Sequence, residues 1–109
     1  MARPSRREVW TVDLGIAGKV RPCLLLTDYP HDDELALITV VPHTTSIRGN
    51  PWEVRINRSF LKTGVFHVQQ IQSVSVARLI RHLGTLTEGE MNMVLSVVQS
   101  RLTQFSKIV

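Results

Sequence analysis

The residues best suited to chemistry in this sequence are one arginine and a group of hydroxyl and amide side chains. Arg21 precedes a proline and an apolar run, whereas residues 44–46 (TTS) follow a run rich in Ile and Val. An arginine beside several hydroxyls at strand ends can bind a phosphate, because guanidinium clamps it with two hydrogen bonds and the hydroxyls donate more. The candidates for such a site are Arg21, Thr44, Ser46 and Gln70. Alternatively, Arg21 pairs with an acidic surface residue and the hydroxyls satisfy a turn.

The other reactive side chains suggest less chemistry. Residues 31–33 (HDD) are adjacent on a turn, where ligands rarely converge on a metal, so we expect a solvated acidic loop. His43, His67 and His82 lack metal-ligand spacing. We interpret His43 and His67 as structural or ligand-contacting side chains, although both have the intrinsic proton affinity for acid–base work. Cys23 lies within an apolar run and is expected to be a small core residue.

The elements that must position these groups are mostly short strands. Alternating or continuous apolar patterns predict strands over residues 8–14, 23–27, 35–41, 52–56, 65–68 and 71–76. Pro42 is expected to end the third of them. Residues 77–86 are ambiguous and are interpreted as a helical turn followed by a short strand.

A C-terminal helix is the clearest element of the sequence. Thr87 and Glu90 have the spacing of a capping box, in which each residue's side chain bonds the other's backbone amide. An apolar stripe follows at helical spacing: Met91, Val94, Leu95, Val98, Leu102 and Phe105. We therefore expect a mainly β protein, with a small, strongly curved antiparallel sheet or barrel against which this helix packs.

Composition limits the class of protein and its partners. The 109 residues fit a single domain over 1–109, and the single cysteine excludes an internal disulfide framework. A net charge of +4 favours a polyanionic partner such as nucleic acid, or an acidic protein. Arg48, Arg55 and Arg58 are candidate contacts to the backbone of such a polyanion or members of a solvated face. No apolar run is long enough for a membrane helix, so we expect a cytoplasmic protein without membrane contacts.

Five segments of the chain resemble, in order, the MazF/PemK family of toxin endoribonucleases. Residues 7–14 (REVWTVDL) and 21–26 (RPCLLL) are similar to the family's RGEVWLVDL and RPALVL segments. Residues 40–49 (VVPHTTSIRG) and 51–54 (PWEV) resemble VVPITSTIRG and PFEV. Residues 69–75 (QQIQSVS) stand where DQIRTVD is usual. Residues 78–79 (RL) and 83–87 (LGTLT) continue the match, so the ordered set covers nearly the whole chain.

This resemblance implies a homodimeric SH3-like β-barrel of the CcdB/MazF type that cleaves single-stranded RNA without a metal or other cofactor. The substrate's 2′-hydroxyl would be the nucleophile, which leaves a 2′,3′-cyclic phosphate and a 5′-hydroxyl, and a cognate antitoxin would block the RNA groove. The implied catalytic residues are Arg21, Thr44 and Ser46. The expected RNA-binding residues are Lys19, Thr45, Arg48, Gln70 and Gln72.

The sequence also departs from the family pattern. The loop of residues 15–20 is shorter than usual, and Gln72 and Ser75 replace a common arginine and aspartate. If the usual pair is structural, neutral side chains that hydrogen-bond in its place would keep the structure. Alternatively, loss of the two charges would weaken the active site or change its preference for RNA sequence. Two other functions stay open: a CcdB-like toxin that binds DNA gyrase, and a weakened family member that only binds its antitoxin.

Overall fold

Seven strands, two 3₁₀ helices and one α-helix make up the described part of the protein. The computed structural model describes residues 3–17 and 19–103, so Phe105 of the predicted apolar stripe lies outside the described residues. The strands are β1 (Glu8–Asp13), β2 (Val20–Leu25), β3 (Leu37–Thr44), β4 (Glu53–Val54), β5 (Val65–His67), β6 (Gln72–Ser75) and β7 (Leu79–Thr85). The 3₁₀ helices span Val68–Gln70 and Val76–Arg78, and the helix α1 spans Glu88–Thr103.

All pairings between these strands are antiparallel. The order across the sheet is β4-β5-β3-β2-β1-β7, and β6 pairs with β3 beside this path. The prediction of a mainly β fold with a C-terminal helix is confirmed. The pairings described here end at β4 and β7, so the sheet is open and the expected barrel is an approximation.

Both faces of the sheet bury apolar side chains, because alternate residues of each strand point to opposite sides. Leu24 of β2 belongs to the cluster beneath α1, with Phe66 and Met91. Its neighbours Cys23 and Leu25 belong to a second cluster on the other face. We refer to these faces as the helix face and the opposite face.

The prediction that Pro42 ends the third strand is wrong, because β3 continues to Thr44. The carbonyl of Thr39 accepts from Leu26 of the segment after β2, so by alternation the missing amide of Pro42 points to the other edge of β3. On that edge β6 pairs only as far as Val40, and β5 begins at His43. Pro42 therefore lies in a gap between two partners and interrupts no ladder.

Two other strands are shorter than predicted, and the prediction for a third segment is confirmed. The strand expected over residues 52–56 shortens to Glu53–Val54. The one expected over 65–68 ends at His67, and the 3₁₀ helix Val68–Gln70 carries the chain to β6. The turn followed by a strand expected over 77–86 is confirmed as the second 3₁₀ helix and β7.

The capping box predicted at the start of α1 is present. The Thr87 amide donates to the Glu90 carboxylate at 2.9 Å, and the Glu90 amide donates to the Thr87 hydroxyl at 3.1 Å. Arg58 forms an ion pair with the same carboxylate at 2.6 Å, so Arg58 anchors the helix. No helix in the described part of the chain is long and apolar enough to cross a membrane.

We expect Thr87→Ala to lower the free energy of unfolding by about 1 kcal/mol, because the Glu90 amide loses its acceptor. Urea denaturation followed by circular dichroism measures the change. Ser96→Ala is the matched control, since Ser96 is exposed in the middle of the same helix and alanine favours helix there. Equal losses in the two variants would contradict a capping role for Thr87.

Candidate active site

The register between β2 and β3 brings Arg21 to Thr44. Cys23 pairs with Pro42 and Leu24 with Val41, so continuing two residues along each strand sets Arg21 opposite Thr44. Both side chains then project from the opposite face, as Cys23 does. This face is apolar along the middle of the strands and becomes polar where β2 begins and β3 ends.

A cavity of about 180 Å³ lies at this end of the two strands. Its lining residues are Arg21, Thr44, Ser46, Arg48, His67 and Gln70. The backbone amide of Ser46 donates to the Thr44 hydroxyl oxygen at 3.0 Å. Because that oxygen acts as the acceptor, the Thr44 hydroxyl proton can be donated to a ligand. We call this space the central cavity.

Glu53 fixes the loop that carries Arg48 into the central cavity. Its carboxylate accepts from the backbone amides of Arg48 and Gly49 at 2.7 Å each, and of Asn50 at 3.3 Å. These bonds, the one from Arg48 above all, lower the pKa of Glu53 below its ordinary value. The carboxylate therefore stays ionised and holds the loop at neutral pH.

Two further cavities adjoin the central cavity and share residues with it. One, of about 410 Å³, shares Arg21 and Thr44 and also carries Thr45, Lys62 and Arg81. The other, of about 540 Å³, shares Arg48, His67 and Gln70 and extends to Asn50 and Gln69. We call the three together the groove. Its lining side chains include four with positive charge: Arg21, Arg48, Lys62 and Arg81. Such a surface attracts a polyanion.

The structure thus brings together most of the residues that the sequence analysis selected. The groove contains Arg21, Thr44, Thr45, Ser46, Arg48 and Gln70. Lys19 and Gln72 are exposed and lie outside its lining. Lys19 adjoins Val20, which lines the 410 Å³ cavity, and the Gln72 side-chain amide donates to the Gln70 carbonyl at 3.1 Å.

The sequence analysis did not select Lys62, Arg81 or Glu53 for the site. Lys62 and Arg81 come from a turn and from β7, far apart along the chain, so no local motif marks them. For Glu53 a signal was present, because the carboxylate follows a turn-forming stretch by a few residues. His67 was considered and placed outside the catalytic set, although it lines the central cavity.

Two predictions about reactive groups agree with the structure. Cys23 is buried, and this burial raises the pKa of its thiol to about 12, so the thiol stays protonated and unreactive at neutral pH. The acidic loop is exposed, and Glu34 accepts there from the His31 amide at 2.7 Å. Within residues 3–17 and 19–103, no group of three or more His, Cys, Asp and Glu side chains is arranged to hold a metal ion.

Known proteins similar to this chain share its length and fold. The profile of the PemK-like, MazF-like toxins of type II toxin–antitoxin systems matches residues 5–102. The chain is 30% identical over 101 residues to a probable endoribonuclease, MazF5, of Mycobacterium tuberculosis, covering 90% of this chain and 92% of that protein.

Solved structures of such toxins are also similar to this chain in fold. An endoribonuclease from a mycobacterial species, in complex with its cognate antitoxin, superposes with a TM-score of 0.75 and 26% identity, over 91% of this chain and 94% of that one. A MazE–MazF complex from Deinococcus radiodurans has a TM-score of 0.76 at 20% identity, over 94% and 97% of the two chains. At that identity the second likeness concerns the fold alone.

The buried His43 predicts a pH dependence of stability. Burial lowers the pKa of its imidazole below the ordinary value of 6.5, and its Nε2 has no hydrogen-bond partner among the described residues. The unfolded chain therefore takes up a proton near pH 6.5 that the folded chain takes up only at lower pH. The resulting stability is complete above about pH 6.5 and is lost as the pH falls below that value.

We expect the free energy of unfolding to fall between about pH 7.5 and 5.5, and His43→Leu to reduce this fall. Leucine also removes the unpaired Nε2. Denaturant titrations at both pH values measure the change. His31→Leu, at an exposed position, should keep the wild-type fall. If His43→Leu lost as much stability as the wild type over this pH range, protonation of His43 would not be the cause of the loss.

Proposed function

The chain belongs to the PemK-like, MazF-like toxins of type II toxin–antitoxin systems, and from this membership we propose that it is an endoribonuclease that cleaves single-stranded RNA in the groove. The observation that carries the proposal is the central cavity, where two guanidinium groups and two hydroxyls line the same space. Relatives of similar length bear the name endoribonuclease, which supports the activity. The shape and charge of the groove support an extended polyanion as substrate.

The proposed reaction uses the RNA's own 2′-hydroxyl as the nucleophile. Its oxygen attacks the adjacent phosphorus, the bond from phosphorus to the 5′-oxygen breaks, and the products carry a 2′,3′-cyclic phosphate and a 5′-hydroxyl. Negative charge builds up on the non-bridging oxygens of the phosphorane. Arg21 meets this charge with two parallel N–H donors, and the hydroxyls of Thr44 and Ser46 donate further hydrogen bonds. Fixed donors of this kind need no cofactor.

The remaining predicted residues are proposed to bind the RNA on both sides of the scissile phosphate. Thr45 extends the site into the 410 Å³ cavity, while Arg48 and Gln70 extend it into the 540 Å³ cavity. Lys19 and Gln72, at the margins of the groove, would contact outer phosphates or bases. Base selection in single-stranded RNA depends on stacking and on hydrogen bonds to base edges, which amide side chains can make.

The family and its complexes also support proposals about partners. A similar endoribonuclease has been solved with its cognate antitoxin. We propose that this toxin, too, is neutralised by a cognate antitoxin, that it acts in the cytoplasm, and that it is a homodimer. β7 lies at the edge of the described sheet and exposes Ile80 there, and such an edge is suited to pairing between protein chains.

The groove favours RNA cleavage over the CcdB-like alternative. Gyrase binding would use a protein-contacting surface at the end of the C-terminal helix, and the aromatic of that segment, Phe105, lies outside the described residues. Nothing in gyrase binding requires an arginine and hydroxyls gathered around a polar cavity. A family member that only binds its antitoxin would retain the fold without cleaving RNA, and the following experiment distinguishes it.

We expect Arg21→Ala to reduce cleavage of single-stranded RNA by at least about 10²–10³-fold, because the phosphorane loses its main charged donor. The assay contains EDTA, and end-group mapping of the wild-type fragments should find 5′-hydroxyl and 2′,3′-cyclic phosphate ends. Arg6→Ala is the matched control, since Arg6 lies outside the lining of the groove.

Circular dichroism should show that both arginine variants are folded. Cleavage by a folded Arg21→Ala protein at the wild-type rate would contradict the proposed mechanism. If the wild-type protein binds its antitoxin tightly but does not cleave RNA, it is a family member that only binds its antitoxin.

The proposed dimer predicts a particle of twice the chain mass of 12.3 kDa. Sedimentation equilibrium of the toxin alone measures this mass. Ile80→Asp should shift the equilibrium toward the monomer, because it puts a charge on the exposed edge strand. Thr103→Asp, on the exposed last turn of α1, is the control. A monomer at all concentrations would contradict the proposal.

A further inference from the structure

His67 is a buried titratable residue of the central cavity for which the mechanism above gives no task. It ends β5, and only 7% of its surface is exposed. Its neighbour Phe66 packs in the cluster on the helix face. By alternation, His67 projects from the opposite face, and the pairing of Thr44 with Val65 puts Thr44 on that face too. The imidazole therefore lies on the side of the sheet where Arg21 and Thr44 converge.

One ring nitrogen of His67 lacks a hydrogen-bond partner among the described residues. Its Nδ1 is buried and makes no hydrogen bond with the described residues. A buried polar atom without a partner destabilises the folded state by about 1–3 kcal/mol, and such atoms are rare. A leucine at this position would avoid that cost. The cost is understandable if a ligand in the cavity provides the partner.

The charged groups around His67 come from three elements. Glu53 is its cross-strand partner in β4, Arg48 follows on the loop that Glu53 holds, and Arg21 lines the cavity from β2. The Glu53 carboxylate already accepts three backbone amides. The imidazole thus pairs across the strands with a residue whose carboxylate is engaged elsewhere, and it lines the cavity together with two guanidinium groups.

The reaction needs a proton acceptor that the other cavity residues do not supply. The 2′-hydroxyl must lose its proton as it attacks phosphorus. Guanidinium stays protonated at neutral pH, and hydroxyls and amides are far too weakly basic to take that proton. Imidazole is the side chain that exchanges protons in this pH range. Of the six residues that line the central cavity, only His67 has such a group.

We propose that His67 is the general base of the RNA cleavage, an inference that rests on the proposed function. A ring nitrogen of neutral His67 takes the 2′-hydroxyl proton while the O2′–P bond forms and the P–O5′ bond breaks. The leaving 5′-oxygen takes a proton from a water molecule, and the resulting hydroxide takes the proton from the imidazolium. The enzyme returns to its starting state, and no cofactor is consumed.

Two variants of His67 test the proposal. His67→Gln keeps a polar side chain that cannot act as a base, and His67→Leu removes the unpaired nitrogen and should fold at least as stably. We expect both to cleave RNA about 10²–10⁴-fold more slowly than wild type. The wild-type rate should rise with pH and then level off once the base is deprotonated. In both variants this plateau should be absent. His31→Gln, outside the lining of the groove, should keep the wild-type rate and profile.

Two modified RNAs separate this role from others. An RNA with a 2′-deoxy residue at the cleavage site cannot react, so it measures binding alone, and we expect wild type and His67→Gln to bind it within about threefold of each other. An RNA with sulfur in place of the bridging 5′-oxygen has a leaving group that needs no acid. A base role predicts that His67→Gln remains as impaired on this substrate as on normal RNA.

The outcomes are distinct. Recovery of His67→Gln on the sulfur substrate would overturn the base role and indicate an acid. A loss of binding that matches the loss of cleavage would overturn it in favour of a binding contact. Full activity of both variants with an unchanged pH profile would also overturn it while leaving the proposed function intact. If the wild-type protein fails to cleave RNA, the proposed function itself has failed.

Discussion

Antiparallel pairing of β2 with β3 in one register holds the two halves of the site together. Along this pair, Leu24 and Val41 fill the helix face while Cys23, Leu25 and Val40 fill the opposite face. A slip of one residue would move every side chain of a strand to the other face, so Arg21 would turn away from Thr44 and both clusters would be broken. The burial of apolar groups in mid-strand therefore fixes the position of polar groups at the strand end.

β3 changes its hydrogen-bonding partner along one edge, and this change allows residues from later in the chain to reach the candidate site. β6 covers the first half of one edge and β5 the last two residues, and the 3₁₀ helix between them carries Gln70 to the central cavity. Gly64 makes the close approach of β5 feasible, because a Cβ there would collide with the backbone carbonyl of Thr44. Pro42 fits the unpaired gap between the two partners. A residue that normally disrupts a sheet thus lies where the sheet changes partner.

Local patterns in the sequence predicted most elements and several of the residues that meet at the central cavity. The capping box at Thr87 and Glu90 is a contact between near neighbours, so spacing alone identifies it. Arg21 and Thr44 were selected because each adjoins an apolar run, and such runs end at the rim of a sheet. The extension of β3 past Pro42 was missed, because it depends on which strands flank β3, and single-segment patterns carry no such information. Lys62 and Arg81 reach the groove through tertiary structure alone.

The departures at positions 72 and 75 bear on charge more than on fold. The Gln72 side chain donates to the Gln70 carbonyl, and the Ser75 hydroxyl accepts from the Ala77 amide, so each makes a local neutral hydrogen bond. Both side chains are neutral, so neither introduces an unpaired charge into the sheet. The positive charge of the groove then depends on Arg21, Arg48, Lys62 and Arg81. Because Gln72 adjoins Gln70, a neutral amide pair borders the central cavity on this side. For the RNA substrate proposed above, amides at this margin would read base edges through hydrogen bonds, whereas an arginine there would also contact phosphates.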